Sequence, residues 1–502
     1  MPALKHLFLK GLIQKLLIFH SLLSNSPTIS FAPNLRPDTP HVFTRLHPTS
    51  ENDPNRRTPK LAIMRLPPEL QILVCQNMTK TELKNARLIC KSLNQAAVPM
   101  LFDEVFIAAT YSDLEIADLV ASRFGSYIKT ITLSFVQYPD YSKDRFIELG
   151  SKAREKITLE RVDGHLAYAF KNYRKVRKEH LEVTESCEFL TQLCQVLRRL
   201  IRCRKIVITD RGNGCSGHKW AVHRHDPWKK EDLCPYQNCP LSESDHVSFF
   251  IRPDPPFSED QAQEWYTAIL ALSIAAPRFT ELVVGGEGHN GFLPMSAFNM
   301  MARQSSHVVT CFKILTKLKL SLSPDHDTRD IVAKALSAAI NLECLFIEGD
   351  GEILYDVPGP MSMVSAILGG CRFAKLRSLI LANMTSNENE LLEFLRNSPL
   401  LEHLTIYQFL LERGFWHEVA VSIRATLRLK TVMFDALYGG FAEIDQGNDY
   451  SHKYLLVEDF FLRNGNNPFT EEEKYRSWGE GLNSSFVVNN DMTCEKRYEI
   501  FH

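Results

Sequence analysis

A six-residue spacing, apolar-x-x-apolar-x-apolar, recurs along this chain and constrains its fold more than any other feature. It stands at Ile128/Ile131/Leu133, Cys203/Ile206/Ile208, Phe279/Leu282/Val284, Leu315/Leu318/Leu320, Leu342/Leu345/Ile347, Leu376/Leu379/Leu381, Leu401/Leu404/Ile406 and Leu429/Val432/Phe434. The second and third positions alternate with one residue between them, the period of a strand with one buried face. Helical patterns come before or between them, over 112–122, 187–200, 259–275, 328–340, 388–397 and 418–427. Strands alternating with helices predict a mostly parallel sheet under an outer helical layer. A single unit of this kind cannot bury its own apolar face, so the units must stack.

From Leu315 onward the first positions are 27, 34, 25 and 28 residues apart, close to the 20–29-residue period of leucine-rich repeats. This part resembles a degenerate leucine-rich repeat. Glu348, Ala382 and Tyr407 follow the third apolar position, where that family usually has Asn or Cys, and the inserts are uneven. An ordinary layered α/β domain is the other reading of the same pattern.

Upstream, Leu66 to Phe102 reads as three short helices. Pro67 and Pro68 suit a first turn, and Glu69 places a negative charge at the positive end of the helix dipole, over roughly 68–77. Thr79 or Thr81 can cap the second helix, and a third follows over 92–101. Leu70, Leu73 and Val74 make one stripe of the first helix, with Leu66, Ile72 and Cys75 directed elsewhere; Leu88 and Ile89 lie off the stripe of Leu83, Ala86 and Cys90. About 40 residues are too few to fold readily alone, so this unit is expected to pack on the rest of the chain or on a partner.

The stretch resembles an F-box: Leu66-Pro67-Pro68-Glu69-Leu70, then Leu83, then Arg87-Leu88-Ile89-Cys90-Lys91 and a closing Leu101-Phe102. Ser92-Leu93 stands where an aromatic is frequent. A leucine-rich-repeat-like body after an F-box is frequent in fungal proteins of the family. The resemblance implies an α/β chain: an N-terminal three-helix F-box over 61–102, then an irregular leucine-rich-repeat-like solenoid of alternating helices and mostly parallel strands over 103–435. A cap and tail would occupy 436–502.

By the same resemblance the protein would be the substrate-recognition subunit of a Skp-cullin-F-box ubiquitin ligase, acting in ubiquitin-dependent protein degradation without chemistry of its own. Leu66, Pro67, Leu70, Leu88, Ile89 and Leu93 would contact the Skp-type adaptor and, through it, cullin. Pro68 and Glu69 would shape the opening turn. The repeats would hold a target protein whose identity the sequence does not show. A non-ligase protein-interaction scaffold is the alternative, and a zinc- or nucleic-acid-binding regulator a third reading.

The rest of the chain adds expectations of its own. The first 60 residues are apolar with interspersed Lys5, Lys10 and Lys15, then rich in Pro, Asn, Thr and Arg; they read as a disordered or targeting-like extension with no span of membrane length. A net charge of -1 gives no overall field toward nucleic acid, and 12 scattered cysteines suit a reduced cytoplasmic or nuclear setting. An insert at 142–181 carries Lys152, Arg154, Lys156, Arg161, Lys171, Arg174, Lys175, Arg177 and Lys178; a solvated helical face is the preferred reading over contact with phosphate. A second, at 211–256, holds Cys215, His218, His223, His225, Cys234 and Cys239. Cys215, His218, Cys234 and Cys239 are the residues that would carry a zinc ion, but the irregular spacing favours a polar loop, and no metal or cofactor is expected. Gly285-Gly286-Glu287-Gly288 and Gly369-Gly370 lack the context of a phosphate loop and read as turns, and no nucleophile elbow or paired-His motif occurs.

Overall fold

Eight repeated spacings become eight adjacent parallel strands. The computed structural model describes residues 66–134, 142–144, 162–209, 259–275, 278–285, 293–299, 302–323, 331–349, 362–439, 454–463, 465–467 and 469. All of them belong to one compact unit, Leu61–His502. The extension at 1–60 and the Cys/His insert at 211–256 lie outside the described residues.

Three helices come first: α1 Pro68–Gln76, α2 Lys80–Ile89 and α3 Lys91–Leu101. Then follow β1 Glu104–Ala108, α4 Tyr111–Phe124, β2 Thr130–Ser134, α5 Val162–Glu185, α6 Cys187–Arg199, β3 Lys205–Thr209, α7 Glu259–Ala275, β4 Glu281–Val284 and β5 Leu293–Pro294. After a 3₁₀ turn at Met295–Phe298 come α8 Ala302–Lys313, β6 Lys317–Ser323, α9 Ile331–Leu336, β7 Cys344–Gly349, α10 Met363–Leu368 and β8 Ser378–Asn387. The chain continues through α11 Glu388–Arg396, β9 His403–Arg413, α12 Trp416–Thr426, β10 Thr431–Gly439 and α13 Tyr454–Arg463.

The strands form one 10-stranded sheet in chain order, β1-β2-β3-β4-β6-β7-β8-β9-β10, with β5 also paired to β6. Every pairing is parallel. The second motif position runs straight across it: Ile131, Ile206, Leu282, Leu318, Leu345, Leu379, Leu404 and Val432 are successive register partners. Side chains in that row and in the row of third positions are buried in one core with the helices. This is an open α/β stack of helix–strand units, as the alternation predicts.

A second ladder sits just before each strand. The carbonyl of the residue after the first motif position accepts two backbone N–H groups from the next unit. Lys129 O takes those of Arg204 and Lys205, Thr280 O those of Thr316 and Lys317, Glu343 O those of Arg377 and Ser378, and Glu402 O those of Lys430 and Thr431. Each unit thereby satisfies its neighbour's backbone, which a lone unit would leave to water.

β8 and β9 run past the six-residue spacing, and each holds one left-handed residue. Asn383 has φ 52° and Gln408 φ 47°. They occupy corresponding positions in β8 and β9, beside the paired Ala382↔Tyr407 and Met384↔Phe409. The alternation shifts by one there, so Met384 and Phe409 join Leu381 and Ile406 in the core instead of facing away. Ala382 and Tyr407 lie in a separate small cluster with Phe346 and Ile380.

Two boundaries differ from expectation. α9 ends at Leu336, short of the expected Ile340, and the chain turns there as Ala339 N donates to Leu336 O. The helix α5 runs past Leu181, the expected end of the basic insert, and buries His180 and Val183, so its C-terminal part belongs to the stack. At the far end Phe460 and Phe469 are buried, and Phe461 lies 5.4 Å from the Phe434 ring, which covers the last strand as terminal repeats require.

Candidate partner-docking site

The three leading helices have a core of their own, made of Cys75, Leu83, Leu93, Ala96 and Ala97. Pro67 precedes α1, with Pro68 in its first turn. Thr79 caps α2 through a capping box: Glu82 N donates to Thr79 Oγ1 at 3.3 Å and Thr79 N donates to Glu82 Oε2 at 2.7 Å. This selects Thr79 over Thr81 as the cap.

The inward face of α1 is not the stripe the apolar pattern suggests. Gln71, Val74 and Cys75 are buried, whereas Leu70 is 38%, Ile72 41% and Leu73 38% exposed. Gln71 can turn inward because its Nε2 donates to Leu66 O at 2.9 Å, so its amide is satisfied within the opening turn. On α2, Leu88 is 78% and Ile89 39% exposed. The result is five large apolar side chains in solvent on two short adjacent helices, with exposed Pro67, Pro68 and Glu69 beside them and Leu66 half-buried.

One expected contact residue is corrected. Leu93 is 0% exposed and belongs to the core of the three-helix unit; it offers no surface to a partner. Leu93, early in α3, packs with Cys75 of α1 and Leu83 of α2 in that core. Ile72 and Leu73 enter the exposed face in its place, and no spacing in the sequence marks them, since α1 is apolar on most sides.

Cys90 is the N-cap of α3 and is partly exposed. The Ser92 hydroxyl, 3.3 Å from its sulfur, and the Leu93 backbone N–H hold its thiol below the ordinary range. Cys75, in the core, is shifted the other way by burial. Deeper in the stack, burial pushes Cys203 and Cys311 up to about 12, so these thiols act as small apolar groups.

Lys80 donates to Met100 O within the unit and pairs with Asp103 just before β1, and the unit is fastened to the stack by Phe102, whose ring stacks on Phe124 of α4 at 3.9 Å between centroids. Among the described residues no group of three or more His, Cys, Asp or Glu is placed to hold a metal, and no helix is long and apolar enough to cross a membrane. The zinc candidates Cys215, His218, Cys234 and Cys239 fall outside those residues.

No family model matches the sequence, and no curated protein matches it. Among solved structures, the leucine-rich repeat-containing protein LegL7 from Legionella pneumophila is similar over 73% of this chain and 100% of its own, at 12% identity and a TM-score of 0.28. A superposition that loose carries no argument about what this chain is or does.

Proposed function

We propose that the chain is a substrate receptor of a Skp-cullin-F-box ubiquitin ligase, in which α1 and α2 dock a Skp-type adaptor and the helix–strand stack holds the protein to be ubiquitinated. The observation that carries this reading is the exposed face of Leu70, Ile72, Leu73, Leu88 and Ile89 on a unit that already has its own core. Those side chains lie outside the core of the three helices, and several large apolar groups left exposed on so small a unit favour a protein partner. The chain performs no reaction in this mechanism. It raises the local concentration of target lysines near the ubiquitin-carrying enzyme, and the stacked Phe102 and Phe124 keep docking unit and stack in register.

The test is co-purification of the intact chain with the adaptor and cullin, beside a Leu70→Asp/Leu88→Asp variant. Recovery of both partners by the wild type and of neither by the variant is expected. If the wild type recovers no adaptor, the reading fails. Adaptor without cullin would favour the scaffold alternative, in which nothing is marked for degradation.

A further inference from the structure

We propose that one face of α5 is a docking surface for an acidic stretch of a partner polypeptide. Lys171, Arg174, Lys175 and Lys178 are all exposed. At 100° per residue they fall within an arc of about 100° on one side of the helix. The buried His180 and Val183 lie on the opposite side and fix α5 against the stack, so the cationic arc is held facing outward.

What makes the arc more than a solvated face is the lack of internal neutralisation. Lys171, Arg174 and Lys175 have no ion-pair partner among the described residues. Lys178 has one, Glu182, at 3.5 Å across a pair with side chains 79% and 53% exposed. A pair that open to solvent contributes little and exchanges readily for another anion. Glu182 also marks the C-terminal limit of the arc. The chain as a whole has a net charge of -1, so the positive charge here is local.

The dimensions favour a short acidic peptide. From Lys171 to Lys178 the rise is about 10 Å at 1.5 Å per residue, which an extended run of about four acidic residues spans at roughly 3.3 Å per residue. A nucleic acid duplex presents a denser and longer array of charge than four cations in that length can answer. None of the described side chains on the arc is aromatic, so single strands find no stacking platform. A membrane surface would need exposed apolar side chains beside the cations, whereas on α5 Val183 points into the core and Phe170 and Leu181 are half-buried. The inference is independent of adaptor docking, since the adaptor face lies on α1 and α2.

The experiment uses the full chain and a fluorescein-labelled peptide with a run of Asp and Glu set in Gly and Ser, followed by anisotropy. A short DNA duplex and phosphatidylserine vesicles serve as competitors. Binding that weakens with salt is expected, with an affinity loss of about ten-fold in Lys171→Glu/Arg174→Glu/Lys175→Glu/Lys178→Glu and none in Leu88→Asp. The corresponding four changes to Gln should give a smaller loss and guard against misfolding of the reversed-charge chain, whose circular dichroism is compared with wild type. Absence of peptide binding at low salt, binding that survives both sets of changes, or displacement of peptide by equimolar duplex or vesicles would each overturn the proposal.

Discussion

Phe102 stacks on Phe124 with ring planes 6° apart, and this contact ties the end of the three-helix unit to the first outer helix of the stack. An aromatic pair of this kind contributes about 0.5–1.5 kcal/mol beyond the area it buries. Phe102→Ala should therefore loosen the leading helices and leave the stack intact. Hydrogen exchange is expected to speed up over 68–101 while amides in β6 to β9 keep their rates; a uniform change along the chain would refute the idea of a separate fastening.

Leu93 and Leu88 are neighbours in sequence and opposites in burial. Leu93→Ala should cost about 2–5 kcal/mol of local stability, because it empties the middle of the small core. Leu88→Ala should stay within about 0.5 kcal/mol in urea unfolding and show its effect only in partner recovery. Equal destabilisation by the two changes would mean that the exposed face is itself a structural seam.

At Gly349 an added Cβ would lie 2.2 Å from Asn383 O and 2.7 Å from the Met363 methyl carbon. The carbonyl belongs to a residue already held at positive φ, so it has little freedom to yield. Gly349→Ala should cost about 1–3 kcal/mol or more. Gly370, at φ 72° with nothing near its Cβ position, should lose only about 1 kcal/mol on the same change, from backbone strain alone. Thermal unfolding of the two variants ranks them, and the reverse order would contradict the clash.

Glu402 joins three cationic groups: Lys430 at 2.9 Å, Arg377 at 3.3 Å and, when protonated, His403 at 3.9 Å. The Lys430 bond, ahead of the other charges, lowers its carboxyl below the usual range. A depressed carboxyl contributes stability that is present above its unfolded pKa and lost as pH falls through the folded one. Glu402→Gln should lower the melting temperature at pH 7 and make no difference in strong acid. A gap that persists at low pH would show that charge is not the cause.

Glu412 should behave in the opposite sense. Burial raises its carboxyl first, with a hydrogen bond to Thr385 opposing and Glu390 adding to the rise. A raised carboxyl favours folding below its unfolded pKa and penalises it as pH climbs through the folded one. Glu412→Gln is expected to raise the melting temperature at pH 7 and to leave it unchanged near pH 4. No gain at neutral pH would mean that the Thr385 bond outweighs burial.

Much of the stack was legible before any coordinates. In a strand, successive side chains must point to opposite faces, so the interval between Leu379 and Leu381 already says that both face one way. The same spacing in eight places predicted eight strands whose motif residues would align, and they do, from Ile131 to Val432. The capping residue of α2 was one of two named from the sequence.

Local sequence therefore determined which residues alternate, where helices begin, and that units repeat, because these follow from steric periods and backbone hydrogen bonding within a few residues. Tertiary structure alone decided the rest. Asn383 and Gln408 take left-handed φ and shift the strand phase because the neighbouring strand does the same beside them, a cooperative choice that neither residue announces. Gln71 turns inward and Leu73 outward because α1 is apolar on several sides, and only the helices packed against it choose which side is buried. Leu93, which the F-box resemblance placed on a partner surface, lies in the small core for the same reason.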